Sequence, residues 1–116
     1  MPEKVIDLDE VLERVQDDKE LLMELFDLFI NDFQKKREFM ATALTKNDYD
    51  QMRDIAHSLK GAAANLSAKS LRESMTQLEQ TAQNHDFTNG SSLLKEIDAR
   101  YKILLDQITI LKKEFQ

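Results

Sequence analysis

His57 is the residue with the most chemistry open to it. It stands in Ala56-His57-Ser58-Leu59-Lys60-Gly61, three residues before a lysine and four before a glycine. A neutral imidazole is a nucleophile near neutral pH, and one ring nitrogen can attack while the other keeps its proton. A lysine three residues on lies on a neighbouring track of the same helix, where its ammonium can meet anionic oxygens without itself reacting. Gly61 is one of only two glycines in 116 residues, and glycine inside a helix costs about 1 kcal/mol relative to alanine. Placed there, it bares helix surface beside the imidazole, so that another protein can come close. Phosphoryl transfer suits these parts. Its transition state is loose, with charge spread over the equatorial oxygens, and catalysis is mostly positioning and electrostatics. The residues read as a phosphoryl-accepting histidine. An incidental surface histidine would account for His57 alone, but not for the lysine spacing and the interior glycine beside it.

The elements that must position His57 are helices. One proline and two glycines leave little material for tight turns, which argues against an all-β fold. Apolar period and caps separate five segments. A short helix over about 8–15 carries Leu8, Val11, Leu12 and Val15 on one face, with Asp7 as its cap. Asp17 or Asp18 starts a long helix to about Lys46. Its stripe is Leu22, Phe26, Phe29, Phe33, Met40 and Leu44, widened by Leu25, Leu28 and Ile30. Asn47 is expected to cap the third helix, about 48–65, with Asp48 and Asp50 in its positive first turn and Met52, Ile55, Ala56, Leu59, Ala63 and Leu66 as its stripe. A fourth helix over about 68–83 places Ala68, Leu71, Met75, Leu78 and Ala82 on one face. After the loop Asn84-His85-Asp86, a fifth over about 88–115 repeats Leu94, Ile97, Tyr101, Leu104, Ile108, Leu111 and Phe115. The fold class is therefore all-α, an antiparallel up-down four-helix bundle with a short extra N-terminal helix. The 116 residues read as a single domain, and the apolar stripes as its core.

At about 100° per residue from Met52, the third stripe centres near roughly 340° and His57 falls near roughly 140°. Lys60 lies near roughly 80°, Ala64 near roughly 120° and Gly61 near roughly 180°. The imidazole should thus project to solvent above small residues.

Composition narrows the partners. The net charge is −6, and no basic patch of the kind a nucleic-acid binder needs stands out. Lys35-Lys36-Arg37 reads as a solvated helix face. Without cysteine, disulfide and thiolate chemistry are excluded. No apolar run approaches the ~18 residues of a membrane span. Met1 to Asp7 is polar and acidic, unlike a signal peptide. A cytoplasmic monomer with no membrane or nucleic-acid partner is expected.

The run Ala56-His57-Ser58-Leu59-Lys60-Gly61-Ala62-Ala63-Ala64-Asn65-Leu66 resembles the signature of histidine-containing phosphotransfer (HPt) domains. The likeness extends to Leu25-Phe26-Asp27-Leu28-Phe29, to the Asp48 region and to Leu78-Glu79, so it covers nearly the whole chain. The resemblance implies phosphorylation of His57 on Nε2, with Lys60 beside the phosphoryl group. It also implies that Glu79 fills the position of an acceptor for the Nδ1–H. The implied partners are response-regulator receiver domains and a (hybrid) sensor histidine kinase. The Mg²⁺ and acid-side machinery would belong to the receiver, so no metal or cofactor is expected in this chain. Docking is expected over Gly61 and Ala64, with Leu8, Val11, Leu12 and Val15 equally suited to docking or to the core. One residue departs from the pattern. The family usually has glycine after the position of Leu66, where the left-handed helix end falls, and this chain has Ser67. Either Ser67 takes that strain or Asn65 takes the left-handed role.

Two other functions compete. A carboxylate-bridged metal site in a bundle needs acidic-x-x-His pairs pointing inward from two helices. Asp54-Ile55-Ala56-His57 is the one match, and it faces outward. A non-phosphorylated adaptor could keep the docking face without the chemistry. An autonomous kinase is excluded, for there is no Gly-rich phosphate loop. His85 reads as a loop residue.

Overall fold

The first three helices of this chain start where a short carboxylate can take up free backbone N–H groups. A computed structural model describes residues 6–115. Met1–Val5, most of the polar N-terminal stretch, and Gln116 lie outside the described residues. The helices are α1 (Leu8–Arg14), α2 (Lys19–Lys46), α3 (Tyr49–Asn65), α4 (Lys69–Gln83) and α5 (Gly90–Phe115). Asp7 accepts from the Glu10 N–H at 3.1 Å, Asp18 from Leu21 at 3.0 Å and Asp48 from Gln51 at 3.1 Å. The cap of α3 is therefore Asp48, not Asn47 as expected. Asn47 sits at φ 53° and ψ 39°, a left-handed residue ending α2. The side-chain amide tolerates that conformation, while the neighbouring carboxylate is the better anchor for N–H groups.

The ends of α1, α2, α3 and α4 share one device. The left-handed residues that end them are Gln16, Asn47, Ser67 and His85, and Asp17 follows Gln16 in the same region. After α3, the Ser67 N–H donates to Ala64 O at 3.0 Å and the Ala68 N–H to Ala63 O at 2.9 Å. This paired closure usually employs glycine at the left-handed position. Here neither glycine has a positive φ. Asn65 stays helical, and Ser67 takes the strained position. Gly90 serves a different need, since a Cβ on it would run into Leu44 Cδ1. It opens α5 two residues later than the apolar pattern suggested, tucked beneath α2.

Short connections force successive helices antiparallel, and α5 closes the ring against α2. The 28 residues of α2 rise about 42 Å at 1.5 Å each, matching the 43 Å long axis of the molecule. The core takes Leu22, Phe26, Phe33 and Met40 from α2, Met52 and Leu59 from α3, Leu71, Met75 and Leu78 from α4, and Ile97 and Leu104 from α5. Each such side chain contributes about 1.5–3 kcal/mol on burial. Tyr101 stacks on Phe33 with centroids 3.8 Å apart. Leu25 and Ile30 are partly buried beside this core, whereas Leu28, expected to widen the stripe, is 65% exposed.

The short α1 is fastened over the α3–α4 turn. The Asp7 N–H donates to Ser67 O at 3.0 Å, and Ser67 Oγ donates to Glu10 Oε1 at 3.0 Å. Lys69 pairs with Glu10 at 3.1 Å, and Arg14 donates to the Ala64 carbonyl. Val11 and Val15 are buried under this strap, with Leu8 and Leu12 partly buried beside them.

Candidate functional site

His57 lies mid-way along α3, on the face away from Met52, Ile55, Ala56 and Leu59, which are all buried. Its side chain is 70% exposed. From α4, whose Leu78 is anchored in the core, Glu79 reaches into the α3–α4 groove and is only 12% exposed. One carboxylate oxygen lies 2.7 Å from His57 Nδ1 and the other 2.6 Å from Lys60 Nζ. The lysine bridge holds the Glu79 carboxyl below its ordinary value, against the opposing push of burial, and His57 adds to the lowering. A carboxylate kept ionised can only accept. The proton between it and the ring therefore belongs to Nδ1, and Nε2 is the ring nitrogen not engaged with Glu79.

The surroundings of that nitrogen are open. A Cβ built on Gly61 would meet nothing within 4 Å, and Ala64 is partly buried one turn further on. Asp50 and Asp54 lie toward the N-terminal end of α3, facing Arg53 at 3.5 and 3.6 Å. Among the described residues no three His, Cys, Asp or Glu side chains converge as a metal site would require. Asp54 and His57 do not face inward as a pair.

Of the expected docking residues, Gly61 and Ala64 share the face of His57. Val11 and Val15 do not reach the surface, because the α1 strap turns them into the core. Those two take the core role that was the alternative for them. An open apolar groove of about 370 Å³ runs between α2 and α3, lined by Leu25, Leu28, Phe29, Ala62 and Leu66 with Asp32 and Asn65. The helical phase of Leu28, about 120° from the centre of the α2 stripe, was the available signal that it is not a core residue. Phe39, 54% exposed, lies further along the same side of α2. The basic run also differs from the solvated face expected of it. Arg37 turns to Asp98 of α5 at 2.6 Å, and Lys36 crosses to Ser58 of α3 at 2.6 Å. His85 lies in the α4–α5 loop as expected, and its ring stacks on Tyr49 at 4.6 Å.

A family model described as Hpt domain matches residues 24–109. The fold is similar to the crystal structure of histidine-containing phosphotransfer protein B (HptB) from Pseudomonas aeruginosa PAO1. The TM-score is 0.82 at 25% sequence identity, over 95% of this chain and 93% of that one. A search of the curated proteins gave no match. No helix of the described residues is long and apolar enough to cross a membrane. With the family model covering most of the chain and the bundle following the same course as HptB, the chain belongs to the Hpt-domain family, phosphotransfer proteins of two-component signalling that act as phosphocarriers rather than kinases.

Proposed function

We propose that this chain is a phosphorelay intermediate: His57 accepts a phosphoryl group from the aspartyl phosphate of one receiver domain and passes it to the aspartate of another. The observation that carries this reading is the Glu79 carboxylate bridging His57 Nδ1 and Lys60 Nζ beside an exposed ring. Nε2 attacks phosphorus, the N–P bond forms, and the acyl O–P bond breaks with its electron pair leaving on the aspartate carboxylate. As Nε2 gives up its lone pair, the ring becomes a phosphoryl-imidazolium with its proton still on Nδ1. Glu79 stabilises that positive charge through the existing hydrogen bond, and Lys60 swings its ammonium toward the phosphoryl oxygens. The reverse step uses the same groups, since the protonated ring is also the better leaving group toward the second receiver. Docking would place the receiver over Gly61, Ala64 and the Leu28 groove.

Incubation with a phosphorylated receiver domain tests this. Acid-labile, base-stable label should appear on the chain and be absent from His57→Gln. Label that persists on His57→Gln overturns the assignment. A receiver that binds the chain but never labels it would favour the adaptor reading, in which the face is kept and the chemistry is not.

A further inference from the structure

The imidazole has a second cation on its other flank. On the surface of α3, Lys60 lies about 60° to one side of His57 and Ser58 about 100° to the other. Lys36 crosses from α2 and places its ammonium 2.6 Å from Ser58 Oγ. It is also 3.0 Å from Asp32 Oδ2, one turn back on its own helix. The two flanks are built alike. Lys60 is held by Glu79 of α4, and Lys36 by Asp32 and Ser58. Both lysines are 28% exposed, so their stems lie along the grooves while the ammonium groups stay near the surface. Before reaction each positive charge has its own carboxylate. A phosphoryl group on Nε2 adds two further negative charges between them.

We infer that Lys36 is a second phosphoryl-binding residue, which leaves Ser58 to take up the phosphoryl oxygens on the α2 side of His57. The inference rests on the phosphorelay reading of His57. An i,i+4 ion pair such as Asp32–Lys36 needs no partner on another helix, and it is worth only about 0.3–0.5 kcal/mol at an exposed site. The reach to Ser58 is what brings the charge to the residue next to His57. Lys60 meets the phosphoryl group from the α4 side, so the two ammonium groups would close on it from either flank.

Labelling by phosphoramidate tests Lys36 without a receiver, and hence without any contribution from docking. Nε2 attacks the donor phosphorus, the N–P bond to His57 forms, the donor's own P–N bond breaks and ammonia leaves. Lys36→Gln should slow labelling of His57 about three- to tenfold at low salt, as expected for a partly screened charge a few ångströms away. The deficit should shrink toward 1 M salt, where the Debye length is about 3 Å. Lys36→Arg should keep most of the wild-type rate, and Lys36→Met, which keeps the stem, should behave like Gln. Equal rates for wild type and Lys36→Gln overturn the inference and reduce Lys36 to a fastener between α2 and α3. So does a loss shared by Lys36→Arg and independent of salt, especially with a lowered melting temperature. The relay reading fails separately, if a phosphorylated receiver leaves no label on the wild-type chain. A wild-type chain that phosphoramidate does not label at His57 overturns both.

Discussion

Glu79 is the side chain on which the other two polar groups converge, so its ionisation can be tested apart from theirs. Its folded-state value lies below the ordinary 4.5, chiefly through Lys60. The ionised form is thus bound more tightly by the folded chain than by the unfolded one. Its stabilisation is complete above 4.5 and fades as pH falls through the lower folded value. Glu79→Gln should lower stability at pH 7 by up to about 1 kcal/mol, the upper end for a pair this near the surface. In urea unfolding across a pH series the gap to wild type should narrow below the ordinary carboxylate range. A gap that stays constant down to pH 3 would mean that the charge on Glu79 contributes nothing to the fold. His57, Lys60 and Gly61 were legible in the sequence because their relation lies within one helix and follows from its period. Glu79 came only from resemblance, since no period relates α3 to α4. Lys36 was not legible at all. Which member of Lys35-Lys36-Arg37 meets Ser58 depends on the register between two helices, and packing sets that register.

The helices themselves were readable from apolar period, and the starts of α1 and α2 from aspartates. Their ends were harder. A chain with two glycines offers no glycine signal for termination, and this one closes α1, α2, α3 and α4 with Gln16, Asn47, Ser67 and His85 in the left-handed region. A side chain in that region costs roughly 1–2 kcal/mol for an ordinary residue and less for asparagine. The strain is tolerated because each closure captures carbonyls that would otherwise be unpaired at the helix end. Gln16 gives one measure of the cost. It is exposed, and its backbone N–H donates to Glu13 O while the next N–H donates to Leu12 O. Gln16→Gly keeps both bonds and removes the Cβ clash, so it should stabilise the chain by about 1 kcal/mol and raise the melting temperature by a few degrees. Ser67→Gly should gain less, because Ser67 Oγ also holds Glu10 of the α1 strap. If the two substitutions gave equal gains, that hydrogen bond would have no share in fastening α1. The family's usual glycine at this turn is thus exchanged for a residue that costs strain locally and ties down a neighbouring helix.

At the scale of the molecule, the bundle separates its apolar exposure into two faces. Leu28 and Phe39 lie on the α3 side of α2, one before and one after the level at which Lys36 meets Ser58. Ile103 and Ile110, 51% and 57% exposed, lie on α5, diagonally across the ring from α3. A receiver that must bring its aspartyl phosphate to His57 can cover only the first face. Burying the exposed two thirds of Leu28 would be worth about 1–2 kcal/mol. Leu28→Asp, which also adds an unpaired charge under the partner, should weaken receiver binding at least about tenfold, or 1.4 kcal/mol. Ile110→Asp should leave binding unchanged. Gly61→Leu separates docking from folding most sharply. Leucine is the better helix former by about 0.8 kcal/mol, and nothing of the chain lies within 4 Å of the new Cβ. The variant should therefore melt higher than wild type yet bind the receiver less tightly in titration calorimetry, because the added side chain fills the approach to the imidazole. Leu28→Asp and Gly61→Leu with wild-type affinity, alongside an Ile110→Asp that binds poorly, would move the docking face to α5. A partner seated there would have the whole width of the bundle between its phosphoryl group and Nε2, so the same result would also remove direct transfer to His57.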